Sequence, residues 1–175
     1  KVGDRGDKFR YNLKPIKWDK EISREYLRDL LKKSNIEDKN LLDNFDNYKC
    51  YVANDNCLGQ IVVSGKLTSI EKFGEELIKE KIKFFKLPVS APFHCPLMKK
   101  ASDEMKSKIL DTKFNDPIVS VISNVTAMPE NKSEKIKTLR LEQIEKPVRW
   151  RESVNNMSSY GINRFIEVGP GKVLS

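Results

Sequence analysis

Apolar and polar positions follow two different periods in the first half of the chain. Alternation with a period of two predicts a strand at residues 13–18, and short runs rich in apolar residues predict three more, at residues 50–53, 60–64 and 82–89. Apolar side chains spaced three and four positions apart predict two helices, at residues 19–33 and 68–81. A cluster of Asn and Asp at residues 54–56 predicts a turn. The order strand, helix, strand, strand, helix, strand is typical of a ferredoxin-like unit, which we place at residues 13–89.

The pattern changes after residue 89. Helical spacing predicts three helices, at residues 97–110, 133–144 and 151–160. Runs rich in β-branched residues predict strands at residues 117–122 and 164–168. Strands that alternate with helices are typical of a parallel sheet covered on both faces. We therefore predict an α/β fold, in which residues 90–175 form part of a core whose remaining strands lie outside this sequence. Residues 1–12 are then a linker or the end of an upstream segment.

The charge of the chain suits several kinds of partner and selects none of them. Thirty-three Lys and Arg residues exceed 25 Asp and Glu residues, which gives a formal net charge of +8. Nucleic acid, anionic lipid, acidic protein and phosphorylated ligands all attract such a chain. The lysines are interleaved with acidic residues, however, and this is typical of a solvated surface rather than of a dense basic stripe.

The cysteines and the apolar runs bear on the compartment. The three cysteines, Cys50, Cys57 and Cys95, have no zinc-binding spacing. Their odd number predicts free thiols in a reducing environment. No apolar run approaches the roughly 20 residues that span a bilayer, and residues 1–19 do not resemble a secretory signal. We therefore expect a protein that is neither secreted nor embedded in a membrane.

The most informative single residue is His94, the only histidine in the sequence. It follows an apolar run and a turn containing Pro92, and it precedes a predicted helix. An imidazole is the side chain that titrates near neutral pH without special tuning, so this position suits a general base. A structural histidine that caps the turn explains the pattern equally well on spacing alone.

Four segments in order carry a resemblance to a known family. They are residues 56–65 (NCLGQIVVSG), 90–98 (SAPFHCPLM), 143–150 (QIEKPVRW) and 167–174 (EVGPGKVL). Together they resemble the malonyl-CoA:acyl carrier protein transacylases of fatty acid synthesis, with matching order and spacing over residues 51–175. The resemblance implies an α/β-hydrolase-like core around a parallel sheet, with a ferredoxin-like subdomain inserted and the active site in the cleft between them.

The resemblance also implies a reaction and its participants. In this family a serine attacks the thioester of malonyl-CoA, and a histidine accepts the serine proton. The acyl-enzyme then passes its malonyl group to the phosphopantetheine thiol of acyl carrier protein. On this basis we expect no cofactor, no metal, no nucleic acid and no membrane partner. We expect a monomer located in the cytoplasm or in the matrix of a plastid or mitochondrion.

The family pattern assigns roles to particular residues of this sequence. His94 matches the histidine base, and Gln143 matches a glutamine whose backbone carbonyl orients the imidazole. The resemblance also implies substrate contacts for a set of polar residues, namely Asn54, Asn56, Gln60 and Asn124. Turn formation or strand capping explains these four equally well. Arg5, which precedes Gly6, is the candidate for pairing with the malonyl carboxylate.

The sequence departs from the family at the nucleophile. The 175 residues contain no G-x-S-x-G pentapeptide, the motif that carries the serine. Ser64 precedes Gly65, but it lacks the first glycine of the motif and lies in the predicted small subdomain. We therefore expect the serine and the oxyanion-hole amides to lie upstream, in a larger enzyme or in another segment of a split chain.

Two alternatives remain. The chain could come from the acyltransferase domain of a polyketide or multifunctional synthase. It could also be a non-catalytic, basic, ferredoxin-like RNA-binding module. Such modules stack bases on aromatic residues of their central strands, and here Tyr51 is the only aromatic residue in the strands predicted at 50–53 and 60–64.

Overall fold

The structure, a computed structural model, describes residues 48–57, 60–79 and 81–169. Four short strands lie within these ranges: β1 (Tyr51–Cys57), β2 (Gln60–Ser64), β3 (Val121–Ile122) and β4 (Pro129–Glu130). Four α-helices accompany them: α1 (Leu67–Lys79), α2 (Lys99–Asp111), α3 (Ser133–Glu142) and α4 (Trp150–Ser159). A 3-10 helix at Pro96–Met98 leads directly into α2. The described chain is therefore of mixed α/β character.

The first half is built on an antiparallel hairpin. Strands β1 and β2 pair from Tyr51 opposite Ser64 to Cys57 opposite Gln60, with two irregularities of register between. Helix α1 covers one face of this hairpin through a small core. Its buried members are Cys50, Val52 and Phe73, with Tyr48, Ile61, Val63, Ile70, Leu77 and Ile82 packed around them.

Close packing in this region depends on a glycine in α1. A Cβ atom built on Gly74 would come within 2.6 Å of the Phe84 ring. No real Cβ contact is that short, so the absence of a side chain lets the segment after α1 return against the helix. The strand predicted at 60–64 and the helix predicted at 68–81 are both confirmed.

The turn predicted at residues 54–56 is wrong, because these residues lie inside β1. The strand accepts an acidic residue here because Asp55 has tertiary partners. Its backbone N–H donates to the Val148 carbonyl at 2.9 Å, and its buried carboxylate pairs with Arg151. Local turn propensity is therefore outweighed by contacts with residues almost a hundred positions away.

The strand predicted at residues 82–89 is also wrong. A strand requires a ladder to a neighbour, and the backbone hydrogen bonds in this part of the described chain are local. Ile82 donates to Leu77 and Val89 to Leu87. The strand and helix predicted at residues 13–18 and 19–33 lie outside the described residues.

In the second half the helices agree with the sequence and the strands do not. Helices α2, α3 and α4 confirm the three predicted helices. The strand predicted at 117–122 is reduced to Val121–Ile122, which pairs antiparallel with β4. Residues 164–168 form no strand in the described structure. Within the described residues the parallel sheet is therefore absent, and one isolated parallel bridge, between Asn54 and Val148, is present.

The unformed strands leave apolar side chains on the surface. Ile118 is 104% exposed and Val168 is 90% exposed. A strand is stable when it has both a hydrogen-bonded neighbour and a face to bury, and neither is supplied to these two segments by the described residues. This is the physical reason why residues 117–120 and 164–168 do not form the predicted strands.

Candidate functional site

His94 occupies an unusual turn between the hairpin unit and α2. Its φ angle is +59°, in the left-handed region that residues other than glycine seldom adopt. The turn is closed locally, because the Phe93 N–H donates to the Ala91 carbonyl at 3.0 Å. The buried Cys95 thiol donates to the Pro92 carbonyl at 3.1 Å. Such a backbone costs roughly 1–3 kcal/mol and persists where the surrounding structure enforces it.

The end of α3 meets the imidazole of His94. Gln143 terminates this helix, and its own N–H donates to the Leu139 carbonyl. The Gln143 carbonyl lies 3.0 Å from Nδ1 of His94. Because a carbonyl only accepts hydrogen bonds, we assign the hydrogen to Nδ1, which leaves the lone pair of the neutral ring on Nε2.

The side chain of Gln143 has a different partner. Its Nε2 donates to the Lys146 carbonyl at 2.9 Å and lies 3.4 Å from Nδ1 of His94. An amide nitrogen donates hydrogen bonds and cannot accept one from Nδ1–H. The shorter contact, from Nδ1–H to the backbone carbonyl, is therefore the hydrogen bond that orients the ring.

The other end of α3 is held by an acidic residue. The Asp116 carboxylate accepts the Ser133 N–H at 2.7 Å and contacts Lys132 at 3.2 Å. These hydrogen bonds, that of Ser133 above all, lower the pKa of Asp116 from 3.8 to about 2. The contact therefore stabilises the fold above about pH 4 and is lost as the pH falls toward 2. It anchors the helix that delivers Gln143 to His94.

Asn124 lies in the same pocket as Gln143. This surface pocket has a volume of about 110 Å³, and its wall is made of β3, β4 and α3: Val121, Ile122, Ser123, Asn124, Glu130, Ile136, Leu139, Arg140 and Gln143. The Asn124 carbonyl also accepts the Arg149 N–H at 3.2 Å. The structure thus brings together two of the residues that the sequence predicted for the site.

The other predicted site residues lie on the hairpin or beyond the described chain. Asn54 forms the parallel bridge with Val148, which follows Gln143 by five residues. Asn56 is half-buried near the end of β1, and Gln60 is exposed at the start of β2. No hydrogen bond in the described structure joins Asn54, Asn56 or Gln60 to His94. Arg5 lies outside the described residues.

Sequence reasoning missed a buried ion pair that joins the hairpin to α4. Nε and a terminal nitrogen of Arg151 lie 3.1 and 3.0 Å from Oδ2 of Asp55. The other carboxylate oxygen, Oδ1, is buried without a hydrogen-bond partner. With the backbone bonds to Val148, this pair fixes β1 against the segment that follows Gln143. The residues are 96 positions apart, so no local signal could have revealed the pair.

A second buried ion pair has a spacing from which it could have been predicted. Arg149 and Glu152 stand three positions apart at the start of α4, a spacing that places side chains next to each other on a helix. Their contacts are 2.8 and 2.5 Å long. Arg149 also donates to the Val125 carbonyl, close to Asn124, at 2.9 Å. The pair thus ties the start of α4 to the segment that carries Asn124.

In the part of the chain that the structure describes, no group of three or more His, Cys, Asp or Glu side chains is placed to hold a metal ion. No helix in the described ranges is both long enough and apolar enough to cross a membrane.

Comparison with known proteins gives consistent matches, although no family model matches the chain. The malonyl CoA-acyl carrier protein transacylase of Bacillus subtilis is 44% identical over 126 residues, which are 71% of this chain and 39% of that protein. The crystal structure of an acyl-carrier-protein-S-malonyltransferase from Bartonella henselae is 38% identical with a TM-score of 0.71, covering 79% of this chain and 46% of that one.

A third match has a partner in its structure. It is a malonyl-transacylase in complex with a type II polyketide synthase acyl-carrier protein, 31% identical with a TM-score of 0.71. The match covers 77% of this chain and 44% of that one. The curated relative and the solved structures thus match this chain to one class of protein, the acyltransferases with an α/β fold.

Within that class the homologues all belong to one family. The curated homologues and structural neighbours are malonyl-CoA:acyl carrier protein transacylases, and the match covers the C-terminal part of them. The chain spans about 40% of the length of the curated relatives it matches. The resemblance seen in the sequence is confirmed, and neither the polyketide-synthase nor the RNA-binding alternative is favoured.

Proposed function

We propose that the protein transfers a malonyl group from malonyl-CoA to the phosphopantetheine thiol of acyl carrier protein, in type II fatty acid synthesis. The observation that carries this proposal is the hydrogen bond from His94 to the Gln143 carbonyl, found in a chain whose homologues are malonyl transacylases. The orientation of the ring leaves Nε2 available as the acceptor that a general base needs.

The reaction takes place in two matched halves. A serine hydroxyl gives its proton to Nε2 of His94 as the oxygen attacks the malonyl thioester. The tetrahedral intermediate collapses and expels the thiol of coenzyme A, which takes the proton back from Nε2. The phosphopantetheine thiol of acyl carrier protein then reverses these steps, and the serine recovers its proton. Malonyl leaves on the carrier, and no redox change occurs.

Gln143 takes the part that a carboxylate plays in the Ser-His-Asp triad. Its carbonyl holds the Nδ1–H and stabilises the ring when Nε2 becomes protonated. The carbonyl stands at the C-terminus of α3, where the helix dipole presents negative charge. The carbonyl at this helix end therefore orients the ring without a buried carboxylate.

The nucleophile is the part of the mechanism that these residues do not supply. Because the sequence has no G-x-S-x-G elbow, we assign the serine and the oxyanion-hole amides to residues outside these 175. The complete fold we propose is an α/β-hydrolase-like core with a ferredoxin-like subdomain. The β1–β2 hairpin with α1 supports the subdomain, and the uncovered apolar segments near Ile118 and Val168 support a core completed by further strands.

Substrate contacts are proposed for five polar residues: Asn54, Asn56, Gln60, Asn124 and Arg5. Asn124 is supported by its shared pocket with Gln143, and Asn54 by its bridge to Val148. Arg5 is proposed as a bidentate partner of the malonyl carboxylate because a planar guanidinium matches that group. The reaction needs no resident cofactor, since malonyl-CoA brings its acyl group as a thioester and the carrier brings the acceptor thiol.

Charge and cysteine content support the proposed partner and compartment. The chain carries a net charge of +8, which suits an acidic carrier protein and polyanionic malonyl-CoA. The three described cysteines are free thiols, which suits a reducing cytoplasm or organelle matrix. We propose a monomer, because the reaction requires one serine, one histidine and one docked carrier.

A polyketide setting is the second candidate, and one structural neighbour bears on it. A structural neighbour is bound to a type II polyketide synthase acyl-carrier protein. The chemistry is the same in both settings, and the settings differ in the carrier that accepts malonyl. Carrier preference therefore separates the two candidates.

The test uses the full-length protein with malonyl-CoA and no carrier, followed by intact mass spectrometry. The proposal expects one malonyl adduct on a serine, which disappears when holo-acyl carrier protein is added. A carrier without its phosphopantetheine arm is the matched control and should leave the adduct in place. Absence of any adduct would contradict the proposal, and faster discharge onto a polyketide carrier than onto a fatty acid carrier would favour the second candidate.

A further inference from the structure

Ser64 is tied to the peptide that precedes His94. Its hydroxyl donates to the Phe93 carbonyl with an Oγ–O distance of 2.7 Å. The two residues are 29 positions apart, and they connect the end of β2 to the histidine turn. Ser64 precedes Gly65 but lacks the nucleophile motif, and its hydroxyl is engaged with a backbone carbonyl.

The carbonyl of Phe93 controls the backbone angle of His94. The Phe93–His94 peptide is a rigid plane, so its rotation changes ψ of Phe93 and φ of His94 together. A flip of this plane would reverse the carbonyl and release His94 from its φ of +59°. The Ser64 hydroxyl opposes the flip because it holds the oxygen in its present direction.

Local bonds of the turn do not replace this contact. The Phe93 N–H donates to Ala91, and the Cys95 thiol donates to Pro92. Both act on peptides other than the one between Phe93 and His94. Among the described contacts, Ser64 fixes that peptide and Gln143 fixes the ring beyond it. The left-handed turn is therefore held from two sides by separate elements.

We propose that Ser64 is a positioning residue for His94, acting through the Phe93 carbonyl to keep Nδ1 on Gln143 and Nε2 free. The inference rests on the proposed function, in which His94 is the general base. Ser64 itself does not contact substrate in this account. Its loss should lower the rate of proton transfer rather than weaken the binding of malonyl-CoA.

Two variants of the full-length protein test the contribution of the hydroxyl, because the side chains they introduce have the same shape and only one of them carries a hydroxyl. Ser64→Thr keeps the donor, and Ser64→Val replaces it with a methyl group on a strand that tolerates β-branched residues. We expect Ser64→Val to lower kcat roughly tenfold with KM for malonyl-CoA within a factor of about two, a size set by the net worth of one hydrogen bond. Ser64→Thr should retain most of the wild-type kcat.

A matched control comes from α4. The Ser159 hydroxyl also donates to a backbone carbonyl at 2.7 Å, that of Asn156, within its own helix. Ser159→Ala should leave kcat and the His94 signals unchanged. Urea unfolding of all variants shows whether a drop in kcat merely follows a loss of folded protein.

Nitrogen NMR of the imidazole gives a readout that a purely structural role would not move. His94 signals are assigned by their loss in His94→Gln. In the wild type and in Ser64→Thr the neutral ring should carry its hydrogen on Nδ1. In Ser64→Val the Nε2–H form should become populated, because Nδ1 no longer faces the Gln143 carbonyl.

The NMR result decides the inference independently of activity. An unchanged Nδ1–H population and unchanged kcat in folded Ser64→Val would overturn it. A shift of tautomer in a full-length protein that transfers no malonyl would support the positioning role of Ser64 and contradict the proposed function. The two proposals can therefore fail separately.

Discussion

Gln143 faces His94 with its backbone and not with its side chain. The carbonyl lies 3.0 Å from Nδ1, whereas the side-chain amide is engaged with Lys146. Any residue that ends α3 in the same way would present the same carbonyl. The chemical identity of the side chain at position 143 is therefore secondary to the position of the helix end.

The first prediction concerns the separate roles of the backbone carbonyl and the side-chain amide of Gln143. Gln143→Ala keeps the carbonyl and removes the amide, so kcat of the full-length protein should fall by no more than about fivefold, the net worth of the lost hydrogen bond to Lys146. Steady-state kinetics with malonyl-CoA and acyl carrier protein measure this. A loss of a hundredfold or more, in a variant that unfolds at the wild-type urea concentration, would show that the side chain itself is needed.

The second prediction concerns the buried pair between Asp55 and Arg151. Removing one partner leaves the other charged and buried, which costs about 3 kcal/mol of unfolding free energy. Arg151→Met should therefore lower the urea midpoint strongly. Arg151→Met combined with Asp55→Leu should recover part of that loss, because the uncompensated carboxylate is gone.

An exposed pair provides the control for that experiment. Lys79 and Glu76 lie 2.8 Å apart on the surface of α1. Lys79→Ala should change the urea midpoint far less than Arg151→Met, because water already solvates both charges. Equal losses in the two variants would contradict the structural role assigned to Asp55 and Arg151.

The third prediction concerns the cysteines. Burial raises the pKa of Cys50 to about 11, and the nearby Cys95 thiol contributes a smaller rise. The Cys50 thiol therefore stays protonated. Burial also raises the pKa of Cys95. At pH 8 about one Cys50 thiol in a thousand is ionised. Iodoacetamide should therefore label the exposed Cys57 well before Cys50 or Cys95, as peptide mass spectrometry will show.

The same pKa shift predicts an alkaline loss of stability. The unfolded thiol ionises near pH 9 and the folded Cys50 thiol near pH 11. Between these values the unfolded chain has lost a proton that the folded chain keeps. The free energy of unfolding should fall as the pH rises from 9 to 11, and Cys50→Ala should remove this part of the dependence. A wild-type slope that survives in Cys50→Ala would contradict the assignment.

Helices were predictable from this sequence because their signal is local. The apolar spacing that predicted the helix at 133–144 is contained in the segment that forms α3. Strands form only beside a pairing partner, and the pattern of apolar residues within one segment does not identify that partner. The segment at 82–89 is rich in apolar residues but forms no ladder among the described residues. Residues 54–56 have turn composition but continue β1, because Arg151 and Val148 stabilise them.

The site followed the same rule. His94 and Gln143 were assigned from motifs, and the structure places them in contact. The role of Ser64 was not visible, because a hydroxyl that bonds a distant carbonyl has no sequence signature. Asp55 was hidden for the same reason, since its partner lies on another element.

The central claim is that His94 is the general base of malonyl transfer. The most direct measurement is the single-turnover rate of serine malonylation in the full-length His94→Gln variant, compared with wild type by rapid-quench mass spectrometry. Because general base catalysis supplies roughly a hundredfold to ten-thousandfold, we expect a loss of at least about a hundredfold with the urea midpoint retained. A folded His94→Gln variant that acquires malonyl at the wild-type rate would contradict the claim.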